Sequence, residues 1–480
     1  MGIKRLLLMV TMGLFMPLLL TAQWEPEVRL TNDDSASVTS FNNARCVASF
    51  GAYVHVVWYD NRDGNTEIYY KRSTDDGATW EADERLTIDA SWSERPSVAL
   101  SDSIVHVVWY DGRLGPPRIF YKRSLDNGTT WGTDIPLTPT AGVAYHPSVA
   151  VSGSVVHVVW TDMRAGPQIY YTRSLDNGTT WEAERIITPA APAAGKNLAS
   201  VAVSDSIVHV VWMDMRANPQ TYYTRSLDNG VTWEADRSIT PAPSQFPSLA
   251  VADSIVHVVY ADFRYGSATP KIFYTHSVDD GTTWDTEIEL AESLSSWYPS
   301  IAVSGPMVHV AWPDNRNGDT SEIYYKCSGD NGASWGSDVR LTDNPSESRE
   351  PSIAVADSMV HVVWHDSRDG NWEIYYRRDP TGNAGIVEKE DALASRPRSF
   401  LVPSFFNDRI TVRFSQSAKG PLKIALYDAR GVPVFSSTYA SVPSLLSFGN
   451  ANIPSLASGV YFLRVDLNRQ TETQKLIKCK

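Results

Sequence analysis

Hydrophobic residues along most of the chain fall in short runs separated by Gly, Asp, Asn and Pro, without a helical period. The segment 96–138 shows the pattern clearly, with runs at 96–100, 105–109 and 118–123 and a weaker one at 135–138. The runs are more continuous than alternating, which is typical of strands buried on both faces of a sheet. The pattern therefore predicts sets of four short β-strands.

This set of four strands recurs along the chain. The clearest marker is a second strand that reads close to Val-His-Val-Val-Trp-x-Asp-x-Arg, and its histidines are His55, His106, His157, His209, His257, His309 and His361. Successive histidines are 51, 51, 52, 48, 52 and 52 residues apart. Four short strands at such a period are the sequence signature of a β-propeller blade. We therefore predict an all-β chain with a seven-bladed β-propeller.

The N-terminal segment is expected to close the propeller. First, second and third strands occur seven times, but a fourth strand follows a third strand only six times. The segment 24–31 reads like 80–87, where a fourth strand begins. A 3+1 closure, in which this segment completes the last blade, would leave no open sheet edge. The predicted first strands begin near Arg45, Arg95, His146, Asn197, Phe246, Tyr298 and Glu350.

A second motif, Ser-x-Asp-x-Gly-x-Thr-Trp, lies between third and fourth strands at 73–80, 124–131, 174–181, 226–233, 277–284 and, with Ser for Thr, 328–335. It resembles the Asp-box, or BNR repeat, of sialidase-like propellers, over roughly residues 24–379. We expect its Asp to accept a backbone N–H bond two residues on, its Gly to supply a positive φ, and its Trp to fill space between blades. The predicted structural carboxylates are Asp75, Asp126, Asp176, Asp228, Asp279 and Asp330. The resemblance implies an active site on the opposite face.

Both ends of the chain carry export signals. Residues 1–22 are expected to be a signal peptide, with Lys4 and Arg5 before an apolar core. The segment 399–480 resembles the C-terminal sorting domain of type IX secretion cargo through Tyr-Asp-x-x-Gly at 427–431 and Ser-Gly-x-Tyr-x-x-Arg at 458–464. This implies passage across an outer membrane, then release or surface attachment. On its strand pattern alone the segment predicts a small Ig-like β-sandwich, joined by a linker at 380–398 to a propeller at 23–379.

Composition narrows the choice of partners. The net charge of −13 disfavours nucleic acid and acidic membrane surfaces. Three cysteines do not make a disulfide framework. One histidine per blade cannot converge on a metal ion, so the strand histidines are expected to be buried and hydrogen-bonded. We expect no metal, no cofactor, no transmembrane anchor after processing and a monomer.

The Trp-x-Asp-x-Arg element has two interpretations. Its carboxylates and guanidiniums could pair bidentately in a ring between blades. Alternatively, they could form seven equivalent sugar sites, as in propeller lectins.

Function is expected at positions that differ from blade to blade while the four-strand pattern repeats. The loops before the first strands place charged residues on neighbouring blades seven, one and two, and we expect these to gather at one side of the channel mouth: Arg45, Glu94, Arg95, Arg349 and Glu350. Aromatic residues and a histidine come from blades three, five and six: Tyr145, His146, Phe246, Trp297 and Tyr298. Arginine suits carboxylates and aromatic faces suit sugar rings, so these ten residues are candidates for binding an acidic glycan.

Three functions remain open at this point. The first is a glycan-binding propeller displayed at the cell surface or released. The second is an exo-α-sialidase-type glycoside hydrolase, since the resembled family uses a tyrosine nucleophile. However, the family's Arg-Ile-Pro element is absent, the nearest text being Glu94-Arg95-Pro96, and no glutamate adjoins Tyr145 or Tyr298. The third is a protein-binding scaffold or adhesin.

Overall fold

The computed structural model divides the chain into two units, Met1–Ile386 and Val387–Lys480. In the first unit it describes residues 24–40, 45–138, 142–188, 195–216, 218–291, 295–318 and 320–382. In the second unit it describes the strands given below. The predicted signal peptide and almost all of the predicted linker lie outside the described residues. The described parts contain strands but no helix, as the residue pattern predicts.

Seven antiparallel sheets make up the described part of the first unit. Six are built from strands that follow one another in the chain, and the seventh takes its fourth strand from the N-terminal end. The innermost strands of neighbouring sheets contact one another around a closed ring. Their strands, from first to fourth, are Val47–Phe50, Tyr53–Asp60, Glu67–Ser73 and Glu84–Arg85; Ser93–Ser101, Ile104–Asp111, Arg118–Ser124 and Ile135–Pro136; Ala144–Ser152, Val155–Asp162, Gln168–Ser174 and Arg185–Ile186; Lys196–Ser204, Ile207–Asp214, Gln220–Ser226 and Arg237–Ser238; Ser244–Ala252, Ile255–Asp262, Lys271–Ser277 and Ile288–Glu289; Ser300–Ser304, Met307–Asp314, Glu322–Ser328 and Val339–Arg340; Ser348–Ala356, Met359–Asp366, Glu373–Asp379 and Val28–Arg29. This is the architecture of a β-propeller.

The N-terminal strand closes the ring as predicted. Val28 and Arg29 pair with Tyr376 and Tyr375, so the chain start supplies the fourth strand of the last sheet. Beyond this pairing, Leu30 packs in one apolar cluster with residues of the first and last sheets. The closure therefore joins the two ends of the propeller through both backbone hydrogen bonds and core packing.

The first strand of blade one departs from the predicted position. It begins at Ser37–Val38, which pairs with Asp60 and Tyr59, and resumes at Val47–Phe50. In blade two, Ser93 and Glu94 make the equivalent pairs with Asp111 and Tyr110, and only Arg95 and Pro96 precede Ser97. Blade one therefore carries extra residues before Val47, and Arg45 lies at their end instead of opening the strand.

The strand histidines join neighbouring blades through a tyrosine, which confirms that they are buried and hydrogen-bonded. Each Nδ1 lies 2.6–2.8 Å from a tyrosine hydroxyl, in the pairs His55–Tyr70, His106–Tyr121, His157–Tyr171, His209–Tyr223, His257–Tyr274, His309–Tyr325 and His361–Tyr376. The hydroxyl of Tyr223, for example, also donates to the Asp280 carbonyl of the next blade at 3.1 Å. Burial lowers the pKa of these histidines, to about 3 for His106.

The Ser-x-Asp-x-Gly-x-Thr-Trp turns have a fixed geometry that differs in one respect from the prediction. Asp75 accepts from the backbone N–H of Thr79 at 2.8 Å, four residues on and not two, and from the Ser73 hydroxyl at 2.7 Å. Gly77 has the predicted positive φ, at 82°. Trp80 packs edge-on against Tyr376 of the preceding blade at 4.8 Å, so the tryptophan fills inter-blade space as expected.

The second unit consists of two sheets. One orders Phe400–Leu401, Arg409–Phe414 and Leu445–Gly449; the other orders Phe405–Phe406, Gln470–Lys478, Gly459–Leu467, Lys419–Asp428 and Pro433–Ser441. Buried side chains of both sheets, including Ile410 and Leu463, share one core. This agrees with the predicted β-sandwich, except that Phe405–Phe406 pairs in parallel with the last strand.

Candidate functional site

The two faces of the propeller carry different kinds of residue. The Ser-x-Asp-x-Gly-x-Thr-Trp turns follow the third strands at one face. The starts of first strands and the ends of second strands meet at the other face, as the pairing of Ser93 with Asp111 shows. At this second face, six blades have a non-glycine residue at positive φ just before the first strand enters the channel: Arg95, His146, Leu198, Phe246, Tyr298 and Glu350, with φ between 44° and 57°. We call these six residues the bulge ring.

The bulge ring is conformationally costly. A left-handed conformation costs roughly 1–2 kcal/mol for a residue with a side chain, and bulges of this kind turn a side chain in a new direction. In blade two the strand register shifts between Glu94 and Ser97, and the other described blades with a bulge behave alike. The other ten described non-glycine residues with positive φ are all Asp or Asn, which tolerate this conformation, whereas the bulge ring places six different side chains in it. Strain held in place while the side chains differ is typical of a functional surface.

The charged half of the bulge ring centres on Arg95 and Glu350. Arg95 Nη1 lies 3.7 Å from Glu350 Oε2, and its guanidinium lies over the Tyr59 ring at 5.1 Å. His365 Nδ1 is 4.0 Å from the same carboxylate oxygen. Both charged side chains are mostly buried, with 16% and 14% exposure. Arginine, glutamate and histidine therefore converge at the mouth between blades seven and two.

Burial changes the protonation of this cluster. It raises the pKa of Glu350 to about 7, against the opposing effect of Arg95 and Arg349. Burial and the neighbouring guanidiniums lower the pKa of His365 to about 3. Near neutral pH the cluster therefore contains a neutral histidine and a glutamate whose protonation state changes in this pH range. A carboxyl group poised near neutrality in a cleft is a frequent property of functional sites.

The aromatic half lies on blades five and six. Phe246 and Tyr298 have ring centroids 4.4 Å apart, and Trp297 lies 6.0 Å from Phe246. Phe263 extends the group, 5.2 Å from Trp297. Burial and the nearby Glu350 raise the pKa of the Tyr298 hydroxyl. The structure thus brings these three predicted aromatic residues together.

The two predicted residues of blade three, Tyr145 and His146, contact side chains of the two neighbouring blades. His146 Nδ1 lies 2.8 Å from the Asn197 side-chain oxygen, and burial lowers its pKa to about 4. Tyr145 packs edge-on against Tyr110, whose hydroxyl donates to Glu94 at 3.0 Å. These residues connect the charged half to blade four.

The three predicted arginines do not gather in one place. Arg349 pairs with Glu347, lies 5.7 Å from the Trp372 ring and is half exposed, while its charge still acts on the Glu350 carboxyl group. Arg45 reaches into the central channel, where Nη2 lies 3.4 Å from the Leu249 carbonyl oxygen. The three arginines therefore have different contacts: Arg95 faces Glu350, Arg349 pairs with Glu347, and Arg45 lines the channel.

Sequence reasoning missed Tyr59, Tyr110 and His365. All three occupy the variable position of the Trp-x-Asp-x-Arg element, and this variation within a fixed motif was the available signal. In blade four, the residue that corresponds to Arg95 and His146 is Leu198, which has the positive φ, and not its neighbour Asn197.

The Asp–Arg pairs of that element bond within each blade, so the prediction of a ring between blades is wrong. Arg113, for example, donates two hydrogen bonds to the Asp111 carboxylate and one to Asp134, which precedes the fourth strand of the same blade. Its guanidinium lies 4.7 Å from the centre of the Phe120 ring. The same pairing occurs in the other blades, at Asp60/Arg62, Asp162/Arg164, Asp214/Arg216, Asp262/Arg264, Asp314/Arg316 and Asp366/Arg368. Groups satisfied in this way do not favour seven equivalent sugar sites.

No set of three or more His, Cys, Asp or Glu side chains within the described ranges is arranged to hold a metal ion. The same ranges contain no helix of the length and apolarity that would cross a membrane.

Comparison with known proteins defines the C-terminal unit by sequence and the propeller by structure. Residues 403–479 match the secretion system C-terminal sorting domain family. The search of curated proteins found no match to this chain. An ulvan lyase shares 9% identity over 73% of this chain and 95% of its own, with a TM-score of 0.54; the polysaccharide lyase Uly1 shares 10% over 74% and 99%, with 0.51. The Trypanosoma rangeli sialidase, at 11% identity over 82% and 86%, has a TM-score of 0.44.

These findings establish a secreted β-propeller protein. The sorting domain indicates secretion through the type IX system to the cell surface or the outside. The likeness to the two lyases shows the fold of the first unit.

Proposed function

We propose that the exported propeller binds an acidic carbohydrate at the bulge ring. The observation that carries the proposal is the two-sided mouth, with the Arg95–Glu350 cluster on one side and the Phe246, Trp297 and Tyr298 rings on the other. A guanidinium can bind a sugar carboxylate, and aromatic faces can pack against the ring. The lyases that share the fold act on polysaccharides, which is consistent with this ligand class.

A glycan array followed by titration calorimetry tests this proposal on the full protein. We expect binding to uronic or sialic acid-containing glycans, and Arg95→Gln should weaken it by at least about tenfold, the loss of one charged hydrogen bond. The matched control is Lys271→Gln, which removes a cation that pairs with Glu289 on an outer strand. Equal binding by Arg95→Gln and the native protein would overturn the proposal. Binding of neutral glycans only would do the same.

The pH dependence of binding follows from Glu350. Its raised pKa, about 7, means that the carboxyl group is neutral below that pH and charged above it. Above pH 7 a charged Glu350 competes for Arg95 and repels an anionic ligand, so affinity should fall by up to about tenfold per pH unit. Calorimetry at about pH 6 and about pH 8 measures the change. Glu350→Gln should remove the dependence, and a dependence that persists in this variant would contradict the assignment.

Glycoside cleavage is the second candidate function, and the protonation of Glu350 favours it. A pKa near the working pH suits a general acid or base. The raised pKa of Tyr298 does not suit an activated nucleophile, so a sialidase-type route has less support than binding. Product release from the acidic glycans that bind, lost in Glu350→Gln with binding retained, would establish catalysis. Intact glycan after prolonged incubation would leave binding as the function.

A further inference from the structure

Among the described residues that line the central channel, the polar ones come only from blade one. The channel holds a cavity of about 200 Å³. The first strands line it with aliphatic side chains, and Arg45 and Ser49 are the polar residues among them. The other six blades have an aliphatic residue at the position of Ser49: Leu100, Val151, Val203, Val251, Val303 and Val355.

Both polar side chains lack adequate partners. The Ser49 hydroxyl is buried without a hydrogen-bond partner in the described parts of the chain. The Arg45 guanidinium carries five N–H donors. Its Nη2 lies 3.4 Å from the Leu249 carbonyl oxygen, which is long for such a bond. Burial in the channel lowers the pKa of Arg45.

A counter-ion from the protein is also missing at this position. The described residues provide no carboxylate in ion-pair contact with Arg45, in contrast to the seven arginines of the Trp-x-Asp-x-Arg elements. The four residues that precede it, 41–44, include no Asp or Glu. A partly buried charge among aliphatic side chains without a counter-charge is unfavourable, and guanidinium groups do not deprotonate to relieve it.

We propose that the central channel binds a small monovalent anion, of the size of chloride, on Arg45. The cavity has room for such an ion and several water molecules, at about 30 Å³ each. The anion neutralises the guanidinium, and water bridges from it to the Ser49 hydroxyl. The aliphatic walls exclude larger hydrated anions. This site lies inside the ring of first strands and does not depend on the carbohydrate proposal, which uses Arg95 and the aromatic half.

Thermal unfolding of the full protein in chloride and in gluconate, at equal ionic strength, tests the site. Chloride at about a hundredfold above its Kd should raise Tm by about 3 °C over gluconate. Arg45→Met should fold and show no chloride effect, since it removes the charge while keeping a side chain of similar length. Lys271→Met, the matched control, should retain the full effect. Equal Tm values in the two salts for the native protein would overturn the proposal.

Two further measurements keep the test decisive. Ser49→Val introduces the residue type of the other blades and should reduce the chloride effect at least by half, even if Arg45→Met does not fold. Crystals grown in bromide should show an anomalous peak beside the Arg45 guanidinium. Bromide peaks only at the protein surface, or stabilisation by glucuronate but not by chloride, would contradict the assignment of a small inorganic anion.

Discussion

Replacing Gly128 with alanine should destabilise the propeller far more than the same change at Gly166. Both glycines have φ of +78°, so the backbone cost of about 1–2 kcal/mol is common to the two variants. A Cβ at Gly128 would lie 1.8 Å from the Tyr70 hydroxyl of the neighbouring blade, whereas Gly166 has nothing within 4 Å. We expect Gly128→Ala to cost about 3 kcal/mol beyond the control.

The extra cost arises because Tyr70 cannot move freely. Its hydroxyl is held 2.6 Å from His55 Nδ1, and its ring packs edge-on against Trp131. An added Cβ must therefore break a buried hydrogen bond or displace the tryptophan that fills the inter-blade space. Denaturant unfolding of the two variants measures the difference in the free energy of unfolding. Similar values for both would show that the blades can separate at this contact without penalty.

The same contact explains how the repeat specifies the fold. The contact consists of a turn glycine of one blade and, from the preceding blade, a third-strand tyrosine with its second-strand histidine. Six of the turns place glycine against the preceding blade's tyrosine, at Gly77, Gly128, Gly178, Gly230, Gly281 and Gly332. The motif therefore joins neighbouring blades, and this contact accounts for its repetition.

The sequence predicts the strands and core of the propeller because their residue pattern repeats in each blade. Strand positions, closure by 28–29 and burial of the histidines depend on patterns present several times, so each copy supports the others. The candidate site depends on single departures from the pattern. The extra residues before Arg45 shift its position relative to the first strand of blade one. Arg349 pairs with Glu347 because of the local positions of the two side chains. Neither can be derived from a repeat.

The convergence of Arg95 with Glu350 was only partly predictable. Their blades are second and last in the chain, so ring closure predicts that they are near each other. Their contact also requires that both residues adopt a left-handed backbone conformation, with φ of 55° and 50°. Five of the six bulge-ring residues are followed by proline, which restricts the preceding residue but does not by itself identify a positive φ.

Acid should unfold the propeller over a narrow pH range. The pKa of the seven strand histidines falls from 6.5 to about 3, or about 4 for His309, because burial disfavours the charged form. Below pH 6.5 the unfolded chain therefore binds more protons than the folded protein, and stability declines as pH falls. Seven protons correspond to a slope of about 10 kcal/mol per pH unit once all seven are charged in the unfolded chain.

The geometry explains why the folded protein resists protonation. Nδ1 of each strand histidine faces a tyrosine hydroxyl, and Nε2 of His106 is buried with no hydrogen-bond partner in the described residues. A proton added there would bring a charge and an unsatisfied donor into the core. The raised pKa of Glu350 opposes the trend with one proton, and the lowered pKa values of His146 and His365 add to it with one proton each, so the direction of the slope is unchanged.

Denaturant unfolding between about pH 7.5 and about pH 5 measures this slope. His106→Gln should lower it by one proton, and the double variant with His209→Gln should lower it by two. Asp126→Asn is the control, because the pKa of Asp126 is lowered to about 2 by hydrogen bonds from Ser124 and Thr130, and its titration lies below this range. A stability that stays constant from neutral pH to pH 5 would mean that the histidines take up protons in the folded state. The inter-blade histidine–tyrosine contacts would then have to open without loss of the fold.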